Sequence, residues 1–317
     1  MDFVFAVIGL AALVAAGDAL VRGAVALSLR LGVSALVVSL TVVAFGTSAP
    51  ELIVGVQAAL RDAPGIVYGN VVGSNIANVL LVLGVPALIA PVQPADGDSR
   101  RMFWMMIAAS LGFIALCFVG PLTWWHGIVL LAALAWVLLD CFRAARTSDD
   151  GAVAAELAEI EEADPHMAPW AIGALIGAGV VGLPVGAHFL VEGARGIAAS
   201  AGLSEAAIGL TLVAVGTSLP ELMTTVMAAL RRHADVAVGN VIGSNIFNLL
   251  GIMGVSSLVA PLAVPPEFLR LDLWVMLASS ALLWGLVGPR WIVGRGLGAG
   301  LLALYLLYLV IVLVPRM

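Results

Sequence analysis

Apolar residues run along almost the whole chain, and the polar positions between them are sparse and clustered. Reading apolar runs between polar or Pro/Gly breaks gives ten spans, at 3–28, 33–60, 66–90, 102–119, 122–141, 169–194, 204–230, 236–260, 271–288 and 297–314. Runs of about 18 residues or more are long enough to cross a bilayer as helices. The longer ones leave room for tilt or for a break inside the membrane. The pattern predicts an all-α polytopic membrane protein with ten transmembrane helices.

The polar clusters recur at an offset of 170 residues. Thr41–Leu60 (TVVAFGTSAPELIVGVQAAL) matches Thr211–Leu230 (TLVAVGTSLPELMTTVMAAL) at 13 of 20 positions. Gly69–Pro91 matches Gly239–Pro261 at 14 of 23. Elsewhere the copies fade to scattered matches such as Gly23/Gly193 and Gly32/Gly202. Each copy holds five spans, and an odd number turns the second copy upside down. The expected organisation is therefore a first five-helix repeat over 1–142, a linker over 143–168, and a second, inverted five-helix repeat over 169–317. Inverted repeats are a mark of secondary transporters, whose binding site lies near the midplane between the copies.

Composition closes off the soluble classes. Hydrophobic residues make up 62% and charged residues 11%, with a mean hydropathy of +1.13, against roughly 25% charged in a soluble domain. The net charge of −6 gives no hint of an anionic partner, and all 14 basic residues are arginine. With the N-terminus outside, ten arginines (22, 30, 100, 101, 143, 146, 231, 232, 290, 295) lie on the cytoplasmic side and four (61, 195, 270, 316) lie outside. The positive-inside rule therefore puts both termini outside. Met1-Asp2 leads straight into apolar residues without a positive segment, so the first run is read as a retained span. The linker carries seven acids between Asp149 and Asp164, with a short helix expected over Ala152–Ala163. It lacks the ligand spacing of a calcium loop and reads as a solvated connector. Cys117 and Cys141 read as packing residues. Nothing points to an organic cofactor, a nucleic acid or an obligate protein partner.

The chemistry lies in the repeated blocks. Glu51 and Glu221 sit deep inside apolar spans with no basic residue near them in sequence. A carboxylate at the bilayer centre costs about 2.5–3.5 kcal/mol on insertion scales, so a mobile cation is the natural partner. Ala44, Thr47, Ser48 and Glu51 share one helical face, and Ala214, Thr217, Ser218 and Glu221 repeat it. In the next span Ser74 and Asn78 are four apart, as are Ser244 and Asn248. All of these offer oxygen, the ligand of hard cations such as Ca²⁺ and Na⁺. Pro50 and Pro220 precede the glutamates and predict a kink there. Such a break should turn the carbonyls of Ala44 and Ala214 toward the site, and the GN and GSN segments should break spans three and eight in the same way. Asp18 and His188 occupy equivalent positions but differ, and neither is placed in the site.

GTSAPE with GNVVGSNIAN, and GTSLPE with GNVIGSNIFN, resemble the two α-repeats of the cation/Ca²⁺ exchanger superfamily, specifically its prokaryotic sodium/calcium exchangers. The resemblance implies four cation sites between spans two, three, seven and eight, and no enzymatic activity. It implies Glu51 and Glu221 as ligands shared by Ca²⁺ and Na⁺. Thr47 and Thr217 would add backbone carbonyls to the Ca²⁺ site. Ser48, Ser74 and the Ala44 carbonyl would form one Na⁺ site; Ser218, Ser244 and the Ala214 carbonyl would form the other. Asn78 and Asn248 would line the centre, and spans one and six would slide to alternate access. The expected activity is Na⁺/Ca²⁺ antiport, electrogenic, in a bacterial inner membrane. H⁺/Ca²⁺ and K⁺-dependent Na⁺/Ca²⁺ exchange are the alternatives. Proton-coupled relatives carry GN-x-x-E in place of GTS-x-PE. Some sodium/calcium exchangers and the K⁺-dependent branch carry Asp where Asn248 stands. A channel and an intramembrane hydrolase are the readings from other classes, and no nucleophile–His pairing supports the latter.

Overall fold

The computed structural model describes residues 1–92, 99–147, 167–200, 216–288 and 291–313. Its helices are α1 (Asp2–Leu31), α2 (Ala35–Thr47), α3 (Ala49–Leu60), α4 (Pro64–Ile89), α5 (Ser99–Val119), α6 (Trp124–Thr147), α7 (Pro169–Ser200), α8 (Leu219–Leu230), α9 (Ala234–Val259), α10 (Phe268–Val287) and α11 (Arg295–Leu313). Among the described residues eight helices are long and apolar enough to cross a membrane, and nine if α2 and α3 count as one bent span. Together these make an all-helical, polytopic membrane protein. The expected linker helix at Ala152–Ala163 and the start of the span at 204–230 lie outside the described residues.

The two longest helices pair with each other. α1 and α7 pass antiparallel, and glycine lets their backbones touch. A methyl group at Gly186 would lie 2.9 Å from Leu13 N, and one at Gly179 would lie 2.5 Å from Leu20 Cβ. Gly9 and Gly193 press as tightly on Leu190 and Ala6. Small residues at a contact are how membrane helices gain close packing when lipid offers no hydrophobic drive. The opposite face of α1, with Phe3, Val7 and Leu10, is exposed, as a lipid-facing surface should be.

α4 and α9 form the interior. Their apolar windows are 72% and 94% buried, against 33% for α1. They also cross antiparallel: Asn75 pairs with Asn248 and Asn78 with Asn245, so numbers rise on one helix as they fall on the other. Equivalent features recur across the two halves. Backbone bridges join Val92 to Val293 and Leu122 to Leu262. After α3, Asp62 takes φ 54°, and after α8, Arg232 takes φ 59°. In both turns the N–H groups of that residue and of the next one close on carbonyls of the last helical turn. Ala63 N reaches Ala58 O at 3.0 Å, and His233 N reaches Ala228 O at 2.8 Å. This left-handed cap satisfies carbonyls that a helix end leaves free.

Helix interruptions fall partly where expected. α2 and α3 meet at Ser48 with a bend of 47°, two residues before Pro50, which has no N–H to offer Gly46. The GN and GSN segments, however, do not break their helices, because their side chains bond to other segments and leave the helical ladder intact. The disturbance comes later. In α4 it falls at Leu81–Leu83, where Val82 N reaches back five residues to Ala77 O at 2.9 Å. In α9 it is a π-helical stretch, Phe247–Ile252. Both follow or contain the asparagines at 78 and 248, and wide turns of this kind often mark functional positions.

Candidate cation site

The bend at Ser48 decides where Glu51 goes. Ser48 ends α2 with φ −87° and ψ 7°, and Glu51 lies in the first turn of α3. Ser218 has nearly the same angles, −84° and 3°, and Glu221 lies in the first turn of α8. Both carboxylates therefore sit at the N-terminal, positive end of a short helix. Each is 1% exposed. Among the described residues no arginine or histidine forms an ion pair with either.

Hydrogen bonds tie the halves together around these groups. Ser48 Oγ donates to Glu221 Oε1 at 2.9 Å. Asn70 Nδ2 donates to the backbone oxygen of Glu51 at 2.9 Å. Asn240 Nδ2 makes the matching contact to Glu221 O at 3.3 Å and reaches Thr225 Oγ1 at 3.1 Å. Thr47 Oγ1 lies 3.3 Å from both Ala44 O and Asn240 Oδ1. Where α4 crosses α9, four buried asparagines interlock. Asn78 Nδ2 donates to Asn245 Oδ1 at 3.1 Å, and Asn248 Nδ2 donates to Asn75 Oδ1 at 3.0 Å.

What these bonds leave over is informative. Glu51 Oε2, Glu221 Oε2, Asn78 Oδ1, Asn248 Oδ1, Ser218 Oγ and Ser244 Oγ are buried without a hydrogen-bond partner. An unsatisfied buried polar atom costs about 1–3 kcal/mol, more when charged. All six are oxygen, and two are on carboxylates, the ligand type that a hard cation takes. Ca²⁺ takes six to eight oxygens, and a soft metal would want sulfur or imidazole.

Most of the expected residues are buried. Thr47, Ser48, Ser74, Asn78, Ser218, Ser244 and Asn248 are buried and Thr217 is half-buried. Ala44 is buried, but its carbonyl is not released by the bend: it accepts the Ser48 N–H at 3.0 Å and the Thr47 hydroxyl at 3.3 Å. The carbonyl that proline deprives of a donor is four residues earlier, at Gly46 rather than Ala44. Ala214 lies outside the described residues. Four residues were passed over: Asn70 and Asn240, which hold the glutamate backbones, and Asn75 and Asn245, which hold the other asparagines. The signal was present, since all four fall in the GN and GSN segments that both copies share.

Comparison with known proteins agrees in kind. A family model described as sodium/calcium exchanger protein matches residues 1–141 and 171–314. The chain is 33% identical to the sodium/calcium exchanger MaX1 of Methanosarcina acetivorans, over 98% of each sequence. It is 34% identical to the inner membrane protein YrbG of Escherichia coli, over 96% of this chain and 94% of that one. The solved structure of the sodium/calcium exchanger from Methanococcus jannaschii aligns over 97% of each chain, with a TM-score of 0.81 and 31% identity.

Proposed function

The chain belongs to the sodium/calcium exchanger family, a family of transporters and not of enzymes, and from that premise we propose that it exchanges Na⁺ for Ca²⁺ across a bacterial inner membrane by alternating access. The observation that carries this reading is the pair of buried, unpartnered carboxylate oxygens on Glu51 and Glu221, set among neutral oxygens that also lack partners. The names of MaX1 and of the Methanococcus jannaschii exchanger support the choice of ions, and that of YrbG supports the membrane.

In this reading both ions use Glu51 and Glu221. One Ca²⁺ neutralises the two carboxylates, with Asn78, Asn248 and the backbone carbonyls of Thr47 and Thr217 completing its shell. Na⁺ loads beside it, at Ser48 and Ser74, and at Ser218, Ser244 and the Ala214 carbonyl. Full loading with one ion excludes the other, because the same carboxylates serve both. Na⁺ running down its gradient then drives Ca²⁺ the other way. If more than two Na⁺ move per Ca²⁺, the cycle is electrogenic and the membrane potential adds about 2.3 kcal/mol per charge per 100 mV.

The architecture we assign is ten spans in two inverted five-helix repeats, 1–142 and 169–317, joined by the acidic linker 143–168, with both termini outside. The antiparallel crossings of α1 with α7 and of α4 with α9 support the inversion. The α1/α7 pair is the sliding element.

The test is radiolabelled Ca²⁺ uptake into proteoliposomes loaded with Na⁺ and diluted into Na⁺-free buffer, with a proton ionophore present. Uptake should require internal Na⁺, fail with K⁺ inside, and survive the ionophore. Uptake that ignores Na⁺ but follows an imposed pH gradient would make the chain a proton-coupled exchanger instead.

A further inference from the structure

A carboxamide is ambiguous toward a cation. Its oxygen attracts the ion and its NH₂ repels it, and the two ends have nearly the same size. An asparagine that serves a cation site must therefore be held the right way round. Asn78 and Asn248 are held by a relay whose direction can be read from its far end.

The relay to Asn248 starts at a group that can only accept. The Asn75 Nδ2 donates to the backbone oxygen of Asn245 at 3.3 Å and lies 3.7 Å from Met276 Sδ. The NH₂ end of Asn75 is fixed by that carbonyl, so its Oδ1 end faces Asn248. Asn248 must then present Nδ2, which it does at 3.0 Å. Its Oδ1 is left on the other side, buried and without a partner. On the opposite half Asn245 Oδ1 takes the Asn78 Nδ2 at 3.1 Å, and Asn78 Oδ1 is likewise left over. The amino end of Asn245 lies 3.7 Å from Met106 Sδ, and a thioether is a weak acceptor. The second relay is thus anchored more loosely than the first.

We propose that Asn75 and Asn245 are positioning residues: each holds the amide of an asparagine on the opposite repeat so that its carbonyl oxygen, not its amino group, is offered to the transported cation. This rests on the reading that Asn78 and Asn248 line the site. The relay is tied to the asparagine at 248. A carboxylate there has oxygen at both ends and needs no orientation.

That difference supplies the experiment. Ca²⁺ binding is measured on purified protein by the Ca²⁺ dependence of its melting temperature, and Ca²⁺ uptake is measured in Na⁺-loaded proteoliposomes. The variants are N75L, N248D and the double variant. N75L should raise the half-saturating Ca²⁺ about fivefold, the scale of one lost hydrogen bond. In the N248D background the same change should move it by less than about twofold, because no amide remains to be aimed. An equal shift in both backgrounds would reduce Asn75 to packing and overturn the proposal, as would no shift in either. N245L with N78D repeats the test on the other half, with a smaller shift of about threefold expected, and decides the matter if N75L does not fold. Wild-type protein that binds Ca²⁺ but shows no Na⁺-driven uptake would count against the exchange reading alone, since the binding comparison stands without it.

Discussion

The two glutamates sit in copies of one motif, yet the copies are bonded differently. Glu221 receives a hydroxyl from the opposite half, Ser48, at 2.9 Å. Ser218, the equivalent hydroxyl, is buried with no partner. The asparagine under Glu51 approaches its carbonyl to 2.9 Å, and the one under Glu221 to 3.3 Å while sharing itself with Thr225. The same sequence thus gives the second half a carboxylate braced by the first half's hydroxyl, while its own hydroxyl, Ser218, is held in reserve. A two-fold related pair of sites can hold identical ligands and still differ in how readily each accepts an ion.

The largest effect tests whether the carboxylates share one function. Removing one member of a buried charged cluster costs about 3–5 kcal/mol, so E51Q and E221Q should each cut Na⁺-dependent Ca²⁺ uptake by more than about 100-fold. Normal uptake by either variant would show that only one half binds the ion. Next comes the serine pair. S48A removes a hydrogen bond to a charged group, worth about 1.5–3 kcal/mol, and should lower both uptake and melting temperature. S218A breaks no bond within the protein, so its ion-free stability should stay within about 0.5 kcal/mol while its half-saturating Na⁺ rises. Equal thermal losses in the two variants would erase the distinction. The smallest effect lies outside the site. Asp18 on α1 holds Arg231 Nε at 2.6 Å beyond the end of α8, whereas its repeat equivalent is His188, which has no carboxylate to form an ion pair. The pair is partly exposed, so D18N should cost less than about 1 kcal/mol, and the loss should shrink in high salt. A melting comparison at low and high salt checks it.

Much of the site was legible because membrane depth makes polar residues conspicuous. Glu51, Glu221 and the serines stand out against apolar runs, and their recurrence at one offset singles them out. The bend at Ser48 was legible too, since proline removes a particular donor. What could not be read was direction. The asparagines of GN and GSN looked like helix breakers, because sequence does not say whether a side chain bonds to its own backbone or to another helix. In the fold Asn70, Asn75, Asn240 and Asn245 reach across, and the helices stay whole. The carbonyl of Ala44 failed for a simpler reason: proline deprives the residue four before it, and Ala44 is six before.

The glycine contact between α1 and α7 has a consequence for how these helices can change over generations. In a membrane helix alanine is ordinarily the mildest replacement for glycine, and it favours the helix by about 1 kcal/mol. At Gly9, Gly179, Gly186 and Gly193 a single methyl group would collide with the neighbouring backbone or Cβ. The gentlest mutation elsewhere is there among the harshest. Drift in the two helices is thus confined to the side that meets lipid, where Phe3 and Val7 lie. At these four positions the inner faces are closed to every side chain, however well it would suit the bilayer.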